Sequence, residues 1–176
     1  MITFVYGGSS SGKSSFAETI LSQNDKATKY YLATMDAYDA ESIKRIERHR
    51  KLRSGKGFKT IECPRDIYKA AGSITDRGDS AVLLECMSNL VANEMFATEE
   101  MLSPSKCTTK VMADIKQLIK ATTDLIIVSN NIFEDGITYD DGTKAYLEAL
   151  GTINQQLACI SDQVYEVVVG IPIRIK

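Results

Sequence analysis

Short apolar runs rich in β-branched residues alternate along this chain with longer stretches of helical period. Ile2–Tyr6, Lys29–Ala33, Ala81–Glu85, Leu125–Ser129 and Val164–Val169 read as strands. Phe58–Cys63 is a weaker strand, and Ile171–Ile175 a closing edge strand punctuated by Gly170 and Pro172. Between them, Lys106 to Thr123 puts Val111, Ile115, Leu118 and Ile119 on one helical face. A last helix repeats Tyr146, Leu150, Ile153, Leu157 and Ile160 at spacings of three and four, and both faces are expected to pack on the sheet. The alternation predicts an α/β fold, a mostly parallel central sheet flanked by helices. Thr98 to Ser105 and Asn130 to Asp141 are the least regular stretches, of a length where substrate contacts often sit.

Length and composition narrow the classes. At 176 residues the chain is expected to form one domain spanning 1–176, and its 44% hydrophobic and 25% charged residues are those of a globular protein. A net charge of -2 gives no overall footprint for nucleic acid. No apolar run approaches the roughly 20 residues that span a bilayer, and no secretory signal is read, so a soluble, cytoplasmic protein is expected. Cys63, Cys86, Cys107 and Cys159 are widely spaced with no CxxC pair and are expected to be reduced, mostly buried thiols rather than metal ligands.

The first strand runs straight into Gly7-Gly8-Ser9-Ser10-Ser11-Gly12-Lys13-Ser14, which satisfies G-x-x-x-x-G-K-[ST] and is followed by a helical pattern. Glycines let successive backbone N–H groups surround phosphate oxygens, and the helix N-terminus adds its positive end. Lys13 is expected to reach the β/γ phosphates, and Ser14 to present its hydroxyl to Mg²⁺. A second acidic partner for that metal belongs at the end of another central strand, where Glu85 closes the run Ala81–Glu85. Glutamate replaces the usual aspartate there with one extra methylene, so it acts through a coordinated water or contacts nucleotide. The alternative is a strand-end carboxylate facing solvent.

From Lys44 to Lys56 seven basic residues, Lys44, Arg45, Arg48, Arg50, Lys51, Arg53 and Lys56, stand against one acid, Glu47. In a mildly acidic chain this segregation points to an anionic ligand, although a charge run is more often a solvated face. The only histidine, His49, lies in its middle, sharing a helical row with Arg45 and Arg53. Neighbouring positive charge disfavours imidazolium. A neutral imidazole among phosphate-binding arginines is equipped to attack phosphorus, while a phosphate contact or a plain surface histidine are the other readings.

Together these segments resemble one family, the bifunctional adenosylcobinamide kinase / adenosylcobinamide-phosphate guanylyltransferases of cobalamin biosynthesis. The resemblance covers nearly the whole chain: the phosphate loop, Tyr31-Leu32-Ala33-Thr34, Arg45-Ile46-x-x-His49-x-x-x-Arg53, Thr60-Ile61-Glu62-Cys63, Leu83-Leu84-Glu85-Cys86 with Asn93, Gly151-x-x-Asn154-Gln155-x-Leu157-Ala158, and the closing Val168 to Lys176. It implies a RecA-like P-loop NTPase fold assembled as a homotrimer. It also implies two reactions: phosphorylation of adenosylcobinamide by ATP or GTP, then transfer of GMP from GTP to the cobinamide phosphate through a guanylylated His49. Gly7 to Ser14, Ala33, Thr34, Met35, Arg50, Lys51, Leu52, Arg53, Glu62 and Glu85 match the family's nucleotide-binding positions. The chain departs from the pattern at Asn131, where the family carries an acid, and at Leu147 and Thr152, where it carries arginines. Those departures leave the phosphate loop and His49 untouched and bear on corrinoid recognition and on the kinase half. A P-loop kinase or nucleotidyltransferase for another small acceptor, and a non-catalytic nucleotide-binding module, are the alternatives.

Overall fold

The structure, a computed structural model, describes residues 1–37, 43, 44, 46, 47, 50, 51, 55–133 and 136–176. Its strands are β1 (Ile2–Gly7), β2 (Thr28–Ala33), β3 (Lys59–Glu62), β4 (Ser80–Glu85), β5 (Asp124–Asn130), β6 (Gln163–Val168) and β7 (Ile171–Arg174). They form one sheet in the order β3-β2-β4-β5-β1-β6-β7. Every neighbouring pair is parallel except β6 with β7, which closes the edge as an antiparallel hairpin. The α/β fold with a mostly parallel sheet, including the weaker strand and the edge strand, is what the alternation predicts. One strand, β5, separates the strand of the phosphate loop from the strand that ends on Glu85.

The helices are α1 (Lys13–Gln23), the single turn α2 (Tyr68–Ala71), α3 (Met87–Met95), α4 (Pro104–Ala121) and α5 (Asp141–Ile160). Residues 43, 44, 46, 47, 50 and 51 are also helical. Central strands are apolar on both faces because both are covered. Val5, Tyr31, Leu83, Ile126 and Val128 pack with Ala17 and Leu21 of α1, whereas Phe4, Leu32, Val82, Leu84 and Ile127 pack with α3, α4 and α5 on the opposite face. Two helix starts are fixed by side chains: Ser103 Oγ accepts from Lys106 N ahead of Pro104, and Asp140 Oδ1 accepts from Thr143 N at 2.9 Å.

Three expectations need correction. Helix α3 is not anticipated, because Cys86 stands at its N-cap and the strand enters it with no turn residue between. Its Met87, Leu90, Val91 and Met95 are nevertheless spaced for a helix and fully buried. Ile160, expected on the packed stripe of α5, is 41% exposed since the helix ends there, beyond the sheet. Of the four thiols, all free, only Cys107 is buried; Cys63 and Cys86 follow strand ends and Cys159 is exposed.

Register places the site. β2 and β4 pair with Ala33 opposite Glu85, β2 and β3 with Ala33 opposite Glu62, and β1 and β5 with Gly7 opposite Asn130. Five parallel strands therefore end together on one margin of the sheet, the margin where open α/β sheets bind ligands.

Candidate active site

At that margin Gly7 leaves β1 and the loop to Gly12 turns back into α1. The turn needs left-handed backbone at Ser10 (φ 56°) and Gly12 (φ 93°). Gly12 is the N-cap of α1 and supplies no capping side chain, so the helix presents its first N–H groups to the loop. Two close approaches favour glycine here. A Cβ on Gly7 would lie 2.5 Å from the Val167 carbonyl oxygen, and one on Gly12 would lie 3.2 Å from Gly170 Cα. The hairpin turn leans on the loop here, Gly170 N donating to Ser11 O at 2.8 Å. Ser11 Oγ, buried beside Gly7, has no hydrogen-bond partner.

Lys13 is buried at the first position of α1, and its Nζ donates to the Gly8 carbonyl at 3.0 Å. Burial lowers its pKa below the ordinary lysine value, opposed by Cys86 and Glu85 nearby. Ser14, the next residue, donates its hydroxyl proton to Glu85 Oε1, while Tyr31 donates to Glu85 Oε2 at 2.5 Å. Glu85 is thus not a strand-end carboxylate facing solvent. It is half-buried, with each oxygen taken by a different hydroxyl.

A cleft of about 260 Å³ opens over these groups, lined by Ser9, Lys13 and Ser14 of the loop region and by Ala33, Met35, Glu62 and Glu85 from three other strand ends. Seven of the sequence-predicted nucleotide positions are brought together this way. Arg50 lies just beyond, bidentate to Glu62 through Nε and a terminal nitrogen, both at 2.7 Å. A second hollow of about 230 Å³ continues from Met35, Ile46 and Glu62 to Arg50 and Pro64. Thr34 has a different place. It is fully buried, its hydroxyl donating to Cys86 O and accepting from Cys86 N at 2.8 and 2.7 Å, and its carbonyl held by Asn93 Nδ2 at 2.8 Å. Lys51 is exposed and does not line the cleft. His49, Arg45, Arg48, Leu52 and Arg53 lie outside the described residues.

Tyr31, Ile46, Cys86, Asn89 and Asn130 also line the cleft; Tyr31, Ile46 and Cys86 fall within segments shared with the family, but none of the five is expected as a site residue. Asn130 could have been found by counting, since it ends β5 as Glu85 ends β4. Tyr31 opens the segment Tyr31-Leu32-Ala33-Thr34, but nothing in the sequence marks its hydroxyl for the site, because an aromatic in a buried strand reads as core.

With that geometry in hand, similarity to known proteins is decisive. Residues 3–175 match the sequence profile of the family described as cobinamide kinase / cobinamide phosphate guanyltransferase. The chain belongs to that family. Family relatives named bifunctional adenosylcobalamin biosynthesis protein CobU, from Salmonella typhimurium strain LT2 and Escherichia coli strain K12, are 30% and 29% identical over the full length of both chains. A relative named bifunctional adenosylcobalamin biosynthesis protein CobP, from Pseudomonas aeruginosa strain PAO1, is 26% identical over 100% of this chain and 98% of its own. Among solved structures, the flagellar accessory protein FlaH of Methanocaldococcus jannaschii superposes with a TM-score of 0.45 at 17% identity, covering 94% of this chain and 70% of that one. No helix among the described residues is long and apolar enough to cross a membrane.

Proposed function

We propose that the chain, working as one nucleotide-binding transferase domain, phosphorylates adenosylcobinamide with ATP or GTP and then transfers GMP from GTP to adenosylcobinamide phosphate, giving adenosylcobinamide-GDP. The observation that carries this reading is the gathering of Lys13, Ser14 and Glu85 beneath one cleft with Ala33, Met35 and Glu62. The uncapped start of α1 and the Gly7–Gly12 loop bind phosphate oxygens through backbone N–H groups. Lys13, already buried, places a fixed cation against the β/γ phosphates without having to be desolvated on binding. Glu62 and Arg50 flank the far end, where the rest of the nucleotide extends.

The oxygens of Ser14 and Glu85 are hard donors in mutual contact, a set that suits Mg²⁺. Those two residues would hold the ion, which when bound neutralises charge on the phosphates. A serine hydroxyl has one proton and two lone pairs, so Ser14 keeps its bond to Glu85 while offering oxygen to a cation.

For the second reaction, His49 attacks the α-phosphorus of GTP. A P–N bond forms, the bond from that phosphorus to the bridging oxygen breaks, and pyrophosphate leaves. The basic residues around His49 in the sequence favour the neutral imidazole this requires. A phosphate oxygen of adenosylcobinamide phosphate then displaces the imidazole, breaking the P–N bond and regenerating His49. Mass spectrometry after incubation with GTP and Mg²⁺ tests the assignment. A mass gain of one GMP is expected in the parent and not in His49→Ala, and a parent that stays unmodified overturns it. A cytoplasmic homotrimer belongs to the same proposal; light scattering is expected to return three times the monomer mass.

A further inference from the structure

We propose that Tyr31 is a positioning residue for the divalent-cation site, acting through Glu85. The inference rests on reading Ser14 and Glu85 as that site. Tyr31 sits on β2 opposite Leu83, two residues before Ala33, which lies opposite Glu85. Its ring is buried in the α1 side of the core, 2% exposed, among Val5, Leu83 and Val128. Its hydroxyl emerges at the cleft and meets Glu85 Oε2 at 2.5 Å. A buried phenol of this kind takes a polar partner, and the partner chosen is the carboxylate.

The need for such a hydroxyl follows from the length of glutamate. Glutamate puts one more rotatable bond than aspartate between the backbone and its carboxylate, ahead of the broad terminal torsion that both share, so the extra methylene loosens the carboxylate at a strand end. Two hydroxyls on two different oxygens remove that freedom. With Tyr31 on Oε2, Oε1 is left facing Ser14, whose proton it accepts. The Ser14 lone pairs are then turned away from Glu85 and toward the cleft. Hydrogen bonds connect a rigid core ring through Glu85 to the Ser14 oxygen, and rigidity at the buried end is what sets the free end.

Mn²⁺ binding, followed by electron paramagnetic resonance with a non-hydrolysable GTP analogue present, tests this on the intact chain. Tyr31→Phe keeps the buried ring and is expected to weaken Mn²⁺ binding about tenfold, while analogue binding in chelator stays within about twofold of the parent. In a Glu85→Gln background the same substitution is expected to add less than about twofold. Parent-like Mn²⁺ binding by Tyr31→Phe, or an undiminished effect in the Glu85→Gln background, overturns the inference. Parent-like binding by Glu85→Gln alone overturns the cation-site reading beneath it. Should Tyr31→Phe lose its circular dichroism spectrum, Glu85→Asp decides: too short to keep both hydroxyls, it is expected to bind Mn²⁺ about tenfold more weakly, and parent-like binding sinks the proposal.

Discussion

Gly7 stands where a strand must become a phosphate loop, and its missing side chain is what lets β6 pass behind it. A Cβ there would lie 2.5 Å from a backbone oxygen of Val167 and 2.7 Å from Ser11 Oγ. The hydroxyl can turn aside, but the carbonyl moves only if β1 and β6 part. Gly7→Ala is therefore expected to cost about 2 kcal/mol of stability, as overpacking does, and to weaken nucleotide binding with it. Chemical denaturation and equilibrium dialysis with GTP read the two effects; a variant as stable as the parent would refute the close approach. Glu85 shows the same economy at the end of β4 on the same margin, where one carboxylate satisfies two hydroxyls and leaves neither oxygen idle.

The β6–β7 hairpin is the element on which local strain is most legible. Val169 adopts φ 45° and Gly170 φ 85°, the two left-handed positions of a type I′ turn. Glycine takes its position freely, whereas a β-branched residue at Val169 is unfavourable. Val169 is 85% exposed, so its side chain contributes no packing to set against that cost. Val169→Asn, which creates the Asn-Gly pair this turn prefers, is expected to stabilise the protein by about 1 kcal/mol. A raised melting temperature checks it, and an unchanged or lowered one rejects it.

Elements differ in how plainly the sequence announces them. Strands β1, β4 and β5 are legible because burial on both faces requires unbroken apolar runs, and Gly7 to Ser14 because phosphate binding constrains spacing. Helix α3 is hidden by its abrupt start at Cys86. Tyr31 is hidden for a subtler reason: its ring obeys the rules of a core strand while its hydroxyl serves the cleft, and only three-dimensional register reveals the second task. Ala33, Glu62 and Glu85 converge for the same reason, each ending a parallel strand, a coincidence of position that linear spacing does not express.

At the scale of the molecule, a charged network ties the helical layer together away from the cleft. Lys110 of α4 reaches Asp66 and Glu94, both at 2.7 Å, and Asp114 at 3.9 Å, and Lys69 reaches Asp66 at 2.9 Å. Hydrogen bonds from Lys110 and Lys69 hold the Asp66 carboxyl down to about 2. A folded-state value below the unfolded one means stability that is present above about pH 4 and lost as the pH falls through about 2. Asp114 has the opposite sign, since burial raises its value and makes its charged form the costly one. Asp66→Asn is accordingly expected to flatten the loss of melting temperature between pH 4 and pH 2. A variant that loses stability as steeply as the parent would show the network contributes nothing.

The bond between Gly170 and Ser11 reaches beyond the finished protein. Translation delivers the phosphate loop early, yet β1 lies between β5 and β6 in the sheet, and the turn that braces the loop comes more than a hundred residues later. Until those segments have emerged, β1 has neither neighbour, and the loop has no surface to close against. Domains that complete themselves only with their last strands stay exposed through most of their synthesis. Nucleotide that needs the finished loop therefore stabilises the chain only after β5, β6 and the closing turn are in place.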